Sequence, residues 1–184
     1  MGETRIRELY NKWQTLGSEA LRGELFQAIW ERYHPRLQVY FSRSHSGFLE
    51  TEDMVSEILL YVFESIGTYN SRYAFSTWIY RVARNRFIDR IRKKEIPKEE
   101  IREDFPEEGE TPESLMIKGE EERLVRDAVA RLSETDRELV FFHFYENMKL
   151  REISTITGIP VGTVKYRMSE IRKGMKRDLE RSFV

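Results

Sequence analysis

Two stretches of this 184-residue chain carry residue types at spacings suited to gripping nucleic acid. The first is KLREISTITGIPVGTVKYRMSEIRKGMK, residues 149–176. Ile153 and Ile156 give a short helix one apolar face, and Gly158 supplies a turn where positive φ would strain a side chain. Pro160 suits the first turn of the next helix, where its missing amide has no partner to lose. Val164, Met168, Ile171 and Met175 recur at steps of four, three and four, one face of that helix. The other face carries Thr163, Lys165, Tyr166, Arg167, Ser169, Arg172 and Lys173. This is a helix-turn-helix with a basic recognition helix shaped for the DNA major groove. The plainer alternative is an αα-hairpin with a solvated basic face.

The second stretch, 69–92, interleaves rings and cations. Tyr69, Tyr73, Phe75, Trp78, Tyr80 and Phe87 lie among Arg72, Arg81, Arg84, Arg86, Arg90 and Arg92. Rings stack on unpaired bases while arginines follow phosphates, so this mixture suits an opened strand. Trp78 and Phe87 stand among Ile79 and Val82 and are expected in the core, and Asp89 is expected to orient a neighbouring arginine.

Helices must position both stretches. Ile6, Leu9, Tyr10, Trp13 and Leu16 form an amphipathic stripe ended by Gly17-Ser18. Leu21, Leu25, Ile29, Tyr33 and Leu37 continue at helical spacing to Phe41, with Pro35 as a kink point. SRSHSG at 42–47 is expected as a polar loop. Thr51 is expected to cap a helix carrying Met54, Val55, Ile58, Leu59, Val62 and Phe63, with Glu52 and Asp53 opposing its dipole. GTYNSR at 67–72 breaks the pattern before a third strong helix, Phe75 to Ile91. Residues 94–122 have little periodicity and are expected as a flexible linker. Helix resumes near Glu120 with Leu124, Val125, Ala128, Val129 and Leu132 on one face. Ser133 with Asp136 caps the next, which buries Leu139, Val140, Phe142 and Phe144 and ends near Asn147. The fold class is all-α: a helical domain over 1–93, a linker over 94–122 and a four-helix domain over 123–184.

Charge supports this division. The net charge is −1, yet residues 72–94 hold eight Lys/Arg against one acid, and 149–177 hold eight against two. Between them, 95–122 hold twelve acids and three bases. Local fields of this kind, not the total, govern phosphate binding. With no cysteine, disulfides and cysteine-ligated metal are excluded, and a reducing cytoplasm fits. No run reaches the length of a membrane helix and the N-terminus lacks a signal-peptide core, so no membrane insertion is expected. His34, His45 and His143 stand far apart, outside any metal-ligand spacing. With no phosphate loop and no nucleophile elbow either, neither enzyme activity nor a cofactor is expected.

Three blocks in order, TEDMVSEILLYVFESI (51–66), FSTWIYRVARNRFIDRIRKK (75–94) and LSETDRELVFFHFYENMKLREISTITGIPVGTVKYRMSEIRKGM (132–175), resemble the sigma-70 family of bacterial transcription initiation factors, in its small extracytoplasmic-function (ECF) group. The resemblance covers nearly the whole chain except the first twenty residues and the linker. It implies a specificity subunit that binds core RNA polymerase and directs it to promoters. The helix matching 51–66 would dock on the β′ clamp coiled coil through Asp53 and Glu57, which share a helix face at i, i+4. Ser56 departs from the glutamine frequent there. The C-terminal domain would meet the β flap. The segment around 69–92 would recognise the −10 element, with Tyr69, Asn70, Ser71, Arg72 and Phe75 around a flipped base; the alternative to a core place for Trp78 is a strand-separating wedge. Arg81, Arg84, Asn85 and Arg90 would contact duplex and phosphate. The recognition helix would read the −35 element. Gly162 and Thr163 would meet phosphate at its N-terminus. Lys165 and Tyr166 would reach base edges, with Arg167, Ser169 and Glu170 next. Lys149, Arg151, Arg172 and Lys173 would take phosphates. Glu170 would accept from a cytosine amine or pair with Arg167. The acidic linker would enter the RNA exit channel, and an anti-sigma factor would restrain the chain. A stand-alone helix-turn-helix regulator is the competing reading; it accounts for 149–176 but not for the aromatic–arginine block.

Overall fold

Apolar side chains at 3.6-residue spacing fold this chain into helices, and the computed structural model describes residues 2–45, 51–93 and 123–182. No strand occurs among the described residues. The expected linker, 94–122, lies outside them.

Helix α1 (Gly2–Leu16) buries Ile6, Leu9 and Tyr10 and stops at Gly17, whose φ of +62° a side chain would resist. Leu16, assigned to the apolar stripe, is 69% exposed. Helix α2 (Glu19–Ser44) runs through Pro35 as one element. Tyr33 and Leu37 are fully buried on either side of the proline, so tertiary packing carries the turn that lacks an amide. The polar loop expected from 42 begins later than composition indicates. The helix continues to Ser44, and Ser44 and His45 are buried. The His45 ring lies 4.5 Å from Phe87 and 5.8 Å from Tyr40, so a polar residue is held by an aromatic nest.

Helix α3 (Thr51–Glu64) starts at the residue expected to cap it, and a 3₁₀ turn (Ser65–Thr68) follows. Helix α4 (Phe75–Lys93) completes the N-terminal unit. Its Phe75, Ile79, Tyr80, Ala83 and Phe87 are fully buried. Phe87 is therefore core as expected, whereas Phe75 and Tyr80, assigned to the nucleic-acid face, also point inward.

The C-terminal unit holds the four expected helices: α5 (123–130), α6 (Glu134–Val140), α7 (Leu150–Thr157) and α8 (Val161–Ser182). Ser133 caps α6, its hydroxyl accepting from the Asp136 amide at 3.2 Å. After α6 the chain widens into a π turn (Phe141–Tyr145), where the Glu146 amide donates to the Phe141 carbonyl at 3.1 Å. That extra residue shifts the helical phase. Phe141 and Phe142 turn inward, and Phe144, expected in the core, is 55% exposed. Asn147 then takes φ +54°, which its short side chain tolerates.

The two units share one apolar cluster. Phe142 lies 5.1 Å from Tyr40 and 5.3 Å from Tyr80, ring centre to ring centre. Three carboxylates of the C-terminal unit cross the seam. Glu138 receives Arg84 and Tyr40, Glu146 receives Arg36 at 2.7 Å, and Glu152 accepts from Thr77 at 3.4 Å.

Candidate nucleic-acid interface

The helix-turn-helix is built as its residues dictate. The Glu152 carboxylate accepts from the Lys149 amide at 2.8 Å and fixes the start of α7. Gly158 closes α7 at φ +75°, its amide bonded to the Ser154 carbonyl at 2.9 Å. The Ser154 hydroxyl then donates to the Ile159 carbonyl at 2.6 Å, and Thr157 Oγ1 accepts from the Ile159 amide at 3.3 Å. Pro160 stands just before α8, one position earlier than expected; its carbonyl accepts from the Val164 amide at 3.0 Å. Ile153, Ile156, Val164, Met168 and Ile171 are buried between the helices, while Met175 is half-buried.

This packing turns the polar face outward. Gly162, Thr163, Lys165, Tyr166, Ser169, Glu170, Arg172 and Lys173 on α8 are exposed, as are Lys149 and Arg151 ahead of and within α7. Tyr166 presents 67% of its surface. Two side chains differ from the sequence reading. Arg167 is half-buried and pairs with Asp136 of α6 at 3.1 Å, so its guanidinium braces α8 rather than projecting. Glu170 pairs with Lys173 at 2.9 Å, not with Arg167, and its carboxylate holds the Lys173 ammonium above its ordinary value.

The turn between the 3₁₀ segment and α4 has an aromatic floor and a polar rim. Tyr69 is 4% exposed, and its ring centre lies 4.9 Å from Phe75 and 5.4 Å from Trp78. Burial raises its phenol above the usual value, so it stays neutral and donates to the Tyr73 carbonyl at 2.9 Å. Trp78 is half-buried, with its indole N–H donating to Thr68 Oγ1 at 3.3 Å. On the rim, the Asn70 side-chain oxygen accepts from the Arg72 amide at 3.0 Å. Asn70, Arg72 and Tyr73 are exposed and Ser71 is half-buried. Tyr69 and Phe75 therefore form the floor on which the rim stands, while Tyr73, 68% exposed, is a free ring the pocket assignment left out.

Along α4, Arg81 and Asn85 are exposed. Arg84 and Arg90 differ from the phosphate contacts expected of them. Arg84 donates Nε and Nη2 to the two oxygens of Glu138, at 2.9 and 3.0 Å. Burial first and then Glu138 push the Tyr40 phenol well up, keeping it a donor to the same carboxylate. Arg90 is paired with Glu57 of α3, and Arg86 lies 3.8 Å from that carboxylate and 4.6 Å over the Tyr61 ring. Asp89 holds Arg92 at 2.8 Å, as its assigned role of orienting an arginine requires.

The outer face of α3 is acidic and apolar together. Asp53 and Glu57 are exposed, and Leu60 and Tyr61 beyond them present 52% and 39% of their surface. Those two apolar residues were overlooked in the sequence, although their position four residues after Ser56 and Glu57 marks the same face. Among the described residues no helix is long and apolar enough to cross a membrane.

A helix-turn-helix with an exposed basic face, joined to a ring-floored, polar-rimmed turn, defines a nucleic-acid-binding protein with two separate contact elements. Comparison with known proteins gives its family. The family model described as "Sigma-70 region 2" matches residues 29–95, and "Sigma-70, region 4" matches 122–175. The chain is 32% identical over 152 residues to the ECF RNA polymerase sigma factor RpoE of Cereibacter sphaeroides, covering 82% of this chain and 81% of that one. It is 28% identical over 167 residues to the ECF RNA polymerase sigma factor SigW of Bacillus subtilis, covering 85% and 89%. Its fold is similar to that of the sigma factor RpoE of Bartonella quintana, solved in complex with the anti-sigma factor NepR (TM-score 0.67, 18% identity, 84% of this chain and 96% of that one). It is also similar to CnrH, solved with the cytosolic domain of CnrY (TM-score 0.63, 16% identity, 98% and 99%). The chain belongs to the ECF group of the sigma-70 family.

Proposed function

We propose that this protein is a transcription initiation factor that binds core RNA polymerase, reads a −35 and a −10 promoter element, and helps open the duplex. The observation that carries the reading is the union, in one chain of this family, of the exposed basic face of α8 with the polar-rimmed aromatic turn at 69–75. Lys165 and Tyr166 enter the major groove at the −35 element, with Thr163 and Ser169 beside them. The first amides of α8, at Gly162 and Thr163, take phosphate together with Arg151, Arg172 and Lys173. Asn70, Ser71 and Arg72 take a base pulled from the −10 strand, Tyr73 stacks on a neighbour, and Arg81 and Asn85 follow the backbone. Arg84 joins them only after leaving Glu138.

Asp53 and Glu57, with Leu60 and Tyr61, form the polymerase-docking face, and the C-terminal unit meets the β flap. The chemistry is binding and strand separation, with no catalytic residue, metal or cofactor, in the cytoplasm. An anti-sigma factor restrains it, in keeping with the complex in which RpoE of Bartonella quintana is bound by the anti-sigma factor NepR.

Run-off transcription tests this. Purified chain with bacterial core polymerase on a pool of promoter fragments is expected to yield start-site-specific transcripts that fade with Lys165→Ala. No transcript and no co-elution with core, but tight duplex binding by the chain alone, would instead establish a free-standing helix-turn-helix regulator.

A further inference from the structure

Helix α1 lies outside both segments that match the family, which begin at residue 29. It nevertheless holds the turn assigned to the −10 base at three points. The Tyr10 hydroxyl donates to the Tyr69 carbonyl at 2.8 Å in a buried contact. Arg7 Nη2 donates to the Ser71 carbonyl at 3.2 Å. Glu3 accepts from the Ser76 amide at 3.2 Å, at the start of α4. These three residues stand at steps of four and three, so one face of α1 makes all the contacts. The Tyr10 ring also meets Tyr69 edge-on, with centres 4.9 Å apart.

The two carbonyls held by Tyr10 and Arg7 flank Asn70. Asn70 and Arg72 are exposed, as is Tyr73, and the turn's own bond between Asn70 and Arg72 fixes only their mutual geometry. Without α1, the carbonyls on both sides of Asn70 lose these two hydrogen bonds, and only the packing of the Tyr69 ring on Phe75 and Trp78 still ties this part of the turn to α4. A loose turn must be ordered when a base arrives, and that ordering detracts most from a step already opposed by unstacking. A turn fixed beforehand discriminates better, because a wrong base cannot be accommodated by rearrangement.

We propose that α1 is a positioning element for the −10 turn, with Tyr10 and Arg7 as positioning residues that set how sharply the flipped base is selected. This rests on the promoter-reading function proposed above. Neither residue touches DNA; each acts through a backbone carbonyl of the turn.

The test is run-off transcription with the full chain and core polymerase on a parent promoter and on versions with each −10 base replaced. Tyr10→Phe removes the hydroxyl and keeps the ring. Arg7→Ala alters an exposed residue and serves if Tyr10→Phe unfolds the chain. Lys12→Ala, exposed on the same helix, is the control. Tyr10→Phe and Arg7→Ala are each expected to lower the parent-to-substituted transcript ratio at one −10 base by about threefold to tenfold. The response to −35 substitutions and co-elution with core should match wild type. Loss of a merely structural contact would lower transcription from every template equally and leave the ratio unchanged; that outcome overturns the proposal, as does an unchanged ratio at full activity. If the wild-type chain directs no transcript, or Arg72→Ala leaves −10 selection intact, the promoter-reading function or its −10 turn fails instead, and the role of α1 fails with it.

Discussion

Arg84 of α4 and Glu138 of α6, 54 positions apart, form a two-pronged ion pair across the seam between the N- and C-terminal units, with N···O distances of 2.9 and 3.0 Å. The side chains are 18% and 3% exposed, so the pair is largely desolvated. Breaking such a pair from one side leaves a charge without a partner, which costs far more than the intact pair contributes. Arg84→Met is therefore expected to destabilise the fold by about 3 kcal/mol, and Glu138→Leu similarly. The double variant should lose clearly less than the sum. Denaturant unfolding of the four proteins measures the coupling; additive losses would show that the pair does not act as a unit.

Arg84 is also assigned to promoter contact, and the seam makes its two roles separable. Glu138→Gln weakens the pair yet leaves Arg84 present. Binding of the core-bound chain to −10 fork DNA should be retained with Glu138→Gln and fall roughly tenfold with Arg84→Met, about 1.4 kcal/mol. Equal losses in both variants would confine Arg84 to the seam.

His45 gives the fold a pH dependence. Burial, first, holds its imidazole below the ordinary 6.5, against the opposing pull of Glu138 and Glu134 and alongside the repulsion of Arg84 and Arg137. Its faces meet the Tyr40, Phe41 and Phe87 rings. Because the folded value lies below the unfolded one, the unfolded chain binds more protons at acid pH. The contribution is fully present above about pH 6.5 and is lost as pH falls below that value. Thermal melts of wild type should show Tm declining from pH 7 to 5.5, with a shallower slope for His45→Gln. Parallel slopes would place the titration elsewhere.

Gly158 carries the turn of the helix-turn-helix at φ +75° with open space where a Cβ would stand. Substitution therefore meets strain without a clash. Gly158→Ala should cost about 1 to 2 kcal/mol by denaturant unfolding. Since α8 is re-aimed or loosened, it should also weaken −35-dependent transcription while leaving −10 selection untouched.

On α8, Tyr166 and Lys165 are exposed and Arg167 is bound to Asp136, so their substitutions should part company. Tyr166→Ala and Lys165→Ala should change −35 selectivity with little effect on Tm. Arg167→Ala should lower Tm and weaken binding without changing which sequence is preferred. A changed preference for Arg167→Ala, read from a −35 base-substitution series, would return that arginine to the groove.

The all-α class, the helix-turn-helix and the outward face of α8 were legible from local sequence, because 3.6-residue periodicity and the glycine at the turn act within a few residues. Val164, Met168 and Ile171 are buried and Thr163, Lys165 and Tyr166 exposed for that reason. The same holds for the Ser133 cap, whose bond spans three residues. What periodicity could not supply were relations between distant segments. Burial of His45 and Tyr80 depends on rings contributed by other helices, and polar or amphipathic residues give no local sign of it. The π turn that exposes Phe144 breaks the very period from which its burial was inferred. The docking of α1 on the 69–76 turn, and the engagement of Arg84 by Glu138 and of Arg90 by Glu57, likewise needed three dimensions. The sequence by itself determined which residue types this protein offers to nucleic acid. Only the tertiary structure decided which of those cations are already neutralised by a carboxylate, because a charge's nearest partner is set by packing rather than by order along the chain.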